Sequence, residues 1–430
     1  MTTPWTLQQI NAVAPDPSSM TAARGVAAAW AETGHDGAVL WGLCRGRGTT
    51  PYRTAIDPNA PAFLCSCPSR KVPCKHALSL LVRWSEGALA AGDPPAFVVE
   101  WLSARAAAAT IPDPPADEPV KVPDPAAAQR RAERVAAGLE DLDRWLTDRI
   151  RHGLGSVDHG YDTYEEIAAR MVDAQAPGVA SSLRTLASVV ERDEDWPARL
   201  LTEYARLHLM VVAYRQRNEL PGPLVRSLRT HLGFGVRVEE VRAEPAVRDR
   251  WQVLATRITE ESRMFTRRIW LRGRATGRWA LLLDFAHGTA RFTTSMPAPG
   301  SSIDADLHFY PASAPLRAVP GRRHSDPEPF TTLPATDLDT ALDEYARMRG
   351  ADPWLRAWPV LLGSVVPVDT DDGWFVVDRS GRAVPITGDD DGRWRLHAVA
   401  GGHPVTVCGD WDGVSLTPVS LFTEGCVRTW

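Results

Sequence analysis

Residues 63–76 read FLCSCPSRKVPCKH, which sets Cys65, Cys67, Cys74 and His76 in the order CxC, six residues, CxH. Zinc favours four nitrogen or sulfur donors in a tetrahedron, with Zn–S near 2.3 Å, so its sulfurs sit about 3.8 Å apart. Residues two apart on a straight strand share a face but stand about 6.5–7 Å apart, so the chain has to bend between the first two cysteines. Ser66 and Pro68 suit that bend. On a helix, positions two apart differ by about 200°, so Cys74 is expected just before the helix that His76 opens. The pattern predicts a bent strand end giving two thiolates, a short loop, and a helix N-terminus giving Cys and His. There the helix dipole favours the negatively charged three-thiolate set. Four protein donors leave no open position for a catalytic water. A structural site of this kind supplies on the order of 10 kcal/mol to the folding of a small unit. Two other readings stay open on the residues alone: buried free thiols beside a surface histidine, and Cys44 replacing His76 as the fourth ligand. Cys408 and Cys426 lie far away in strand-like sequence and are read as core or incidental residues.

Outward from the cluster, GAVLWGLCRG (37–46) and PYRTAID (51–57) read as strands, and residues 20–33 as a short helical pattern. In HALSLLVRW (76–84), Ala77, Leu80, Leu81 and Trp84 recur at steps of three and four, which places them on one helix face for packing onto the strands. Residues 1–110 form a first unit, with the finger at about 41–84. IPDPPADEPVKVPDP (111–125) has Pro at six of fifteen positions and reads as an extended linker. Residues 126–235 are helical in pattern, enough for about four or five helices, with Val135, Leu139, Leu142, Leu146 and Ile150 on one stripe. Beyond them, short apolar runs bounded by Gly, Pro and Asp, among them RWRLHAV (393–399), read as strands, and their tryptophans, Trp394 included, as β-core residues. These fall into a β-rich region at 236–335 and a helix plus β-rich region at 336–430, the helix running from Asp337 to Arg349. The two share strand texture without a fixed-period repeat. The fold class expected is α+β: a small N-terminal zinc-finger unit, a central helical region and a β-rich C-terminal region.

Length and composition agree with this division. A chain of 430 residues corresponds to about three compact units. Its 44% hydrophobic and 23% charged residues, with sixteen Trp, are those of a folded globular protein. A net charge of −5 gives no overall field toward nucleic acid or anionic membrane. The N-terminus lacks the basic start and apolar run of a secretory signal, and no stretch approaches the roughly 18 apolar residues of a membrane span. A cytoplasmic location with no membrane partner is expected. Three of the six cysteines fall between 65 and 74, a spacing that fits metal binding in a reducing compartment better than a disulfide framework.

The CxC–spacer–CxH order, embedded in CSCPSRKVPCKHALSLL and preceded by WGLCRGRGTTPYRTAID, resembles the SWIM zinc finger, and closely the stand-alone bacterial SWIM zinc finger proteins, over about residues 41–84. The resemblance implies Zn2+ held by Cys65, Cys67, Cys74 and His76. It also implies a DNA-binding or protein-interaction role and no catalytic residue. Stand-alone bacterial relatives are similar to components of multi-protein systems that work alongside AAA-type ATPases.

Between Trp41 and Trp84 stand seven basic residues, Arg45, Arg47, Arg53, Arg70, Lys71, Lys75 and Arg83, against one acid, Asp57. The segment carries +6 and the rest of the chain −11. Such a patch suits phosphate or an acidic protein. Arg45, Arg47, Arg70, Lys71 and Lys75 are the candidate partner-binding residues. The phosphate-binding GxxxxGK[ST] loop, the HExxH helix and the GxSxG elbow are all missing from the sequence. The acidic runs DTDDG (369–373) and DDDG (389–392) read as hairpin turns beside strands, and His152 and His159 as loop residues. The leading expectation is a non-enzymatic recognition or adaptor module acting through protein–protein contact. Nucleic-acid binding by the finger is the alternative, and an unrecognised enzyme in residues 236–430 the third reading.

Overall fold

The computed structural model describes residues 4–429 except 8–9, 11–12, 15–16, 47, 49, 59–61, 70, 72, 110–124, 157–159, 193–194, 262–263, 289–291 and 293–295. The stretch expected to be a linker therefore lies almost wholly outside the described residues.

The N-terminal unit runs α1 (Pro17–Gly25), β1 (Trp30–His35), β2 (Leu40–Cys44), β3 (Tyr52–Asp57), β4 (Ala62–Cys65), α2 (Lys75–Ser85), β5 (Ala90–Ala91) and α3 (Ala96–Ala109). Its strands form one sheet in the order β4-β3-β2-β1-β5. The helical pattern expected through Thr33 stops at Gly25, and Trp30 to Thr33 lie in β1 instead. Tertiary contacts outweigh local preference there: Trp30 donates from Nε1 to Ser79 Oγ at 3.1 Å, and its ring lies over Gly42, where a Cβ would meet it at 2.6 Å. On one face of the sheet, Ala77, Leu80, Leu81 and Trp84 of α2 bury with Leu40 and Ile56. On the other, Val39, Trp41 and Ala55 pack with Val98 of α3.

The central region holds α4 (Pro125–His152), α5 (Tyr161–Asp173), α6 (Pro177–Arg184), α7 (Leu186–Arg192), α8 (Trp196–Arg215) and α9 (Gly222–Leu232). Val135, Leu139, Leu142 and Leu146 sit in its core. Ile150, expected on the same stripe, is 48% exposed, because the 28-residue α4 outruns the shorter helices packed on it. The α6 and α9 backbones meet so closely at Gly178 that a Cβ there would stand 2.1 Å from the His231 carbonyl.

After α10 (Val238–Ala243) come β6 (Val247–Glu261), β7 (Met264–Gly273), β8 (Trp279–His287), β9 (Ser301–Phe309), β10 (Arg317–Arg323) and β11 (Glu328–Pro329). Strands β6, β7 and β8 form an antiparallel meander; β8 pairs parallel with β10, β10 antiparallel with β9, and β9 antiparallel with β6. The ring closes into a five-stranded barrel filled by Trp251, Val253, Ile269, Leu271, Leu282, Ile303 and their neighbours.

The last region repeats this order with α11 (Leu338–Ala351), β12 (Trp358–Thr370), β13 (Gly373–Val377), β14 (Ala383–Pro385), α12 (Asp390–Ala400), β15 (Val405–Trp411), β16 (Leu416–Thr423) and β17 (Cys426–Thr429). Strand β12 bends at a bulge where Ser364 takes φ 56°, so its first half pairs with β15 and its second with β13. A parallel bridge from Ile386, just past β14, to Leu416 of β16 closes the second barrel. The strand expected in RWRLHAV (393–399) is instead part of α12, and DDDG is that helix's start rather than a hairpin turn. Asp389 caps it by accepting from the Gly392 amide, and Leu396 and Ala400, four apart, bury in the barrel core. Asp371 and Asp372 do occupy a hairpin turn, between β12 and β13.

The two barrels share a core of Trp270, Trp279, Trp358, Leu361, Cys408 and Val419. The β region also joins the bundle, since Trp354 enters the bundle core and His231 Nε2 lies 3.1 Å from Asp352 Oδ1.

Candidate metal centre and finger surface

The β3–β4 hairpin pairs Thr54 with Cys65, and the turn is extended past the strand end by Ser66, whose amide donates to the Arg53 carbonyl at 3.0 Å. The Ser66 hydroxyl accepts from the Arg53 amide at 2.9 Å. These two bonds bend the chain so that Cys67 follows Cys65 round toward α2. Cys74 is the N-cap of α2 in extended backbone, and its carbonyl accepts the first helical bond, from Leu78, at 3.0 Å. His76, in the first turn, is buried. Its Nδ1 stands 3.7 Å from Cys65 Sγ and 3.9 Å from Cys74 Sγ.

The four donor atoms all lie within 4.8 Å of one another. Tetrahedral zinc asks for sulfurs about 3.8 Å apart and sulfur–nitrogen pairs at about 3.5 Å, so the cluster fits. The donors are also supported from behind, as zinc ligands usually are. Thr54 Oγ1 lies 3.3 Å from Cys65 Sγ, and the Tyr52 ring packs on His76 with centroids 5.0 Å apart. Crowding ties the protonation of the set together. Contacts with Cys65 and Cys74 hold the Cys67 thiol far below its usual range, while contacts with Cys65 and Cys67 push Cys74 up. Bonds to the Cys65 and Cys67 sulfurs lift His76 to about 9. Negative charge gathered on sulfur is what draws a proton onto the imidazole, and a divalent cation answers the same charge. Cys65, Cys67, Cys74 and His76 bind zinc, which here cross-links a strand end to a helix start.

A family model for the SWIM zinc finger matches residues 64–84, and one for the SWIM-associated four-helix bundle domain matches residues 130–232. The chain carries a SWIM zinc finger followed by a SWIM-associated four-helix bundle. No curated protein and no solved structure matches it. In this SWIM protein the second match covers α4 to α9, a region whose helices were legible but whose tie to the finger was not, because bundle cores are built from interchangeable apolar residues. Cys44 is no ligand: it is buried in β2, outside the donor cluster, and burial pushes its thiol up.

Of the basic residues singled out, Arg45, Lys71 and Lys75 are exposed, and so is Arg53. Arg47 and Arg70 lie outside the described residues. A link the sequence did not reveal joins this surface to the metal. Gly46 sits on the Tyr52 ring, where a Cβ would come within 2.5 Å of it, and the same ring packs on His76. The backbone at Gly46, next to Arg45, is thereby seated over a zinc ligand.

Elsewhere, a surface depression of about 580 Å3 is lined by Arg248, Asp249, Arg250, Arg274, Ala275 and Asp304. Most of its charged groups are already engaged. Arg248 grips Asp304 with two bonds of 2.8 and 2.9 Å, and buried Asp249 accepts from the amides of Arg250, Ala275 and Thr276 and from the Thr276 hydroxyl. No described helix is long and apolar enough to cross a membrane.

Proposed function

We propose that this SWIM protein is a non-enzymatic adaptor whose zinc-clamped finger docks an acidic surface of a protein partner, as a component of a multi-protein system such as one built on an AAA-type ATPase. The observation that carries the reading is the seating of Gly46, next to Arg45, on Tyr52 and, through it, on His76. Metal binding then fixes the backbone from which Arg45, Arg53, Lys71 and Lys75 project. A cationic surface held rigid loses less entropy on binding than one on a free loop. Because all four coordination positions are filled by protein, the metal supplies shape and charge placement rather than a reacting group. The test is a pull-down from the native cell, followed by reconstitution with purified components. The reconstituted complex should weaken with salt and by about tenfold or more when Lys71→Glu and Lys75→Glu are combined. A failure to find any partner that rebinds in pure form, or a partner indifferent to the double reversal, would sink the adaptor.

The same exposed cations also support a second reading, in which the finger binds nucleic acid. It expects salt-sensitive retardation of DNA or RNA that the Lys71→Glu, Lys75→Glu pair abolishes. No retardation even at low salt removes it.

A further inference from the structure

The first barrel carries a surface of its own. Counting its strands from β6, the order round the ring is first, second, third, fifth, fourth and back to the first, with the third and fifth parallel. That is the topology of the OB barrel, whose outer face over the second and third strands takes extended oligonucleotides or oligosaccharides. The second barrel has the same order, with α12 placed between its third and fourth strands.

In the first barrel the second and third strands are β7 and β8. Their register with β6 sorts the outward side chains into cross-strand rows. The row Ala255–Trp270–Leu281 is covered by the second barrel. Beyond it the face opens by steps: Arg257, Arg268 and Leu283 are half-buried, then Thr259 and Phe285 are exposed beside half-buried Thr266, and Glu261, Met264 and His287 are exposed. Phe285 is 53% exposed, a large ring on the third strand with no core to fill. The arginines are held in place by neutral acceptors: Arg257 Nη2 donates to the Pro418 carbonyl at 2.9 Å, and Arg268 Nη1 to Thr259 Oγ1 at 3.1 Å. A carboxylate, Asp410, lies beneath them, engaged by Trp270 Nε1 at 3.0 Å. The charge of the whole barrel points the same way. Residues 247–330 contain thirteen basic and eight acidic residues, a net +5 on a chain of net −5.

We propose that the open β7–β8 face binds single-stranded nucleic acid, with Phe285 stacking on a base and Arg257 and Arg268 taking the adjoining phosphates. Single strands fit better than duplex because the ring must meet the face of an unpaired base. They fit better than an oligosaccharide because two arginines beside the ring match a charged backbone. This site is independent of the finger and stands whether or not the adaptor reading does.

The experiment is fluorescence anisotropy of the full, zinc-loaded chain with labelled oligo-dT and oligo-U of about 12 nucleotides, at about 50 and about 200 mM salt. Binding should weaken with salt. Phe285→Ala should lower affinity by about tenfold or more, with the salt slope kept, and Phe285→Trp should retain binding. Arg268→Ala should lower affinity and flatten the salt slope by about 0.7, as for one phosphate contact on a single strand. Phe285 is exposed, so its variants should keep the wild-type melting temperature and zinc content. The proposal is overturned by no binding at low salt, by a preference for duplex or for a neutral oligosaccharide, or by binding that Lys71→Glu, Lys75→Glu abolishes while Phe285→Ala leaves it untouched.

Discussion

The two barrels share one strand order yet are finished by different chemistry. Residues 247–330 carry +5; residues 337–430, with fifteen acidic and eight basic residues, carry −7. The second barrel is plugged at one end by α12, whose Leu396 and Ala400 join Val376, Val384, Val405 and Val407 in an apolar core. The first has an ion pair on its inward face, Arg267 Nη2 to Asp284 Oδ2 at 2.6 Å, both side chains largely buried. The Phe292 ring covers Arg267 with the guanidinium 4.5 Å from its centroid. Topology alone therefore fixes neither how a barrel is plugged nor what it meets outside. The side chains on its inner and outer rows do that, and the two barrels differ in both.

The largest expected effect lies outside the barrels and serves as their control. Removing zinc from a four-ligand structural site withdraws on the order of 10 kcal/mol from the unit it holds. Chelation, or Cys67→Ser, should take the metal content from about one zinc per chain to none and expose the amides of β3, β4 and α2 to hydrogen exchange. The amides of β6–β9 and β12–β16 should stay protected. Loss of protection in the barrels would mean that finger and barrels fold as one unit, and wild-type protein that is folded without zinc would break the metal assignment.

Inside the comparison, Asp284→Ala should cost about 3–5 kcal/mol, because it removes the carboxylate that answers the buried Arg267. Replacing both partners with apolar residues, Arg267→Met with Asp284→Leu, should return most of that loss. Denaturant melts of the full chain read both. If the double change is worse than the single one, the pair holds the barrel's shape and the analogy with the apolar plug fails. Leu396→Ala in the second barrel should cost about 3 kcal/mol, the usual result of emptying a buried leucine site. It should open β12–β16 to exchange while leaving β6–β9 protected. Equal opening of both would show that the shared interface around Trp270 and Trp358 couples them.

What the sequence made legible follows from how local each signal is. The zinc site was readable because all four ligands fall within twelve residues and their spacing alone dictates a bent strand end and a helix start. The stripe Val135–Leu139–Leu142–Leu146 was readable because helical periodicity is local too. Barrel closure was not: it rests on the parallel pairing of β8 with β10 and on the single bridge from Ile386 to Leu416, partners far apart in the chain with no mark in either segment. The α12 error has a local cause. Trp394, Leu396 and Ala398 alternate with polar neighbours as in a strand, and Asp389 to Asp391 suit a turn as well as a helix start. What decides is the barrel mouth, which needs Leu396 and Ala400 four residues apart. Trp394, read as a β-core residue, ends up 54% exposed on that helix.

The smallest effects come from two aspartates that the fold treats in opposite ways. Asp249 of the first barrel is buried, which raises its pKa, but the Thr276 hydroxyl and the amides of Ala275, Thr276 and Arg250 outweigh burial and hold the carboxyl below its ordinary value. Asp410 of the second barrel is half-buried, and there desolvation wins over the Trp270 bond and the Arg257 and Arg268 charges, so its carboxyl is raised. The signs of the linkage follow. Asp249 contributes stability that is present above the unfolded value of about 3.9 and is lost as the pH falls through its lower folded value. The contribution of Asp410 is full below about 3.9 and is lost as the pH rises through its higher folded value. Asp249→Asn should therefore destabilise the chain at neutral pH by about 1–2 kcal/mol, since an amide serves four donors poorly and sets an N–H2 against some of them. Asp410→Asn should do the reverse, stabilising by about 1 kcal/mol at neutral pH, because the amide oxygen still accepts from Trp270 without a desolvated charge. Melts at pH 7 and pH 4 decide it. The Asp410→Asn gain should shrink toward pH 4, and a gain equal at both values would show that the carboxylate is solvated and that the interface between the barrels is wetter than its tryptophan core implies.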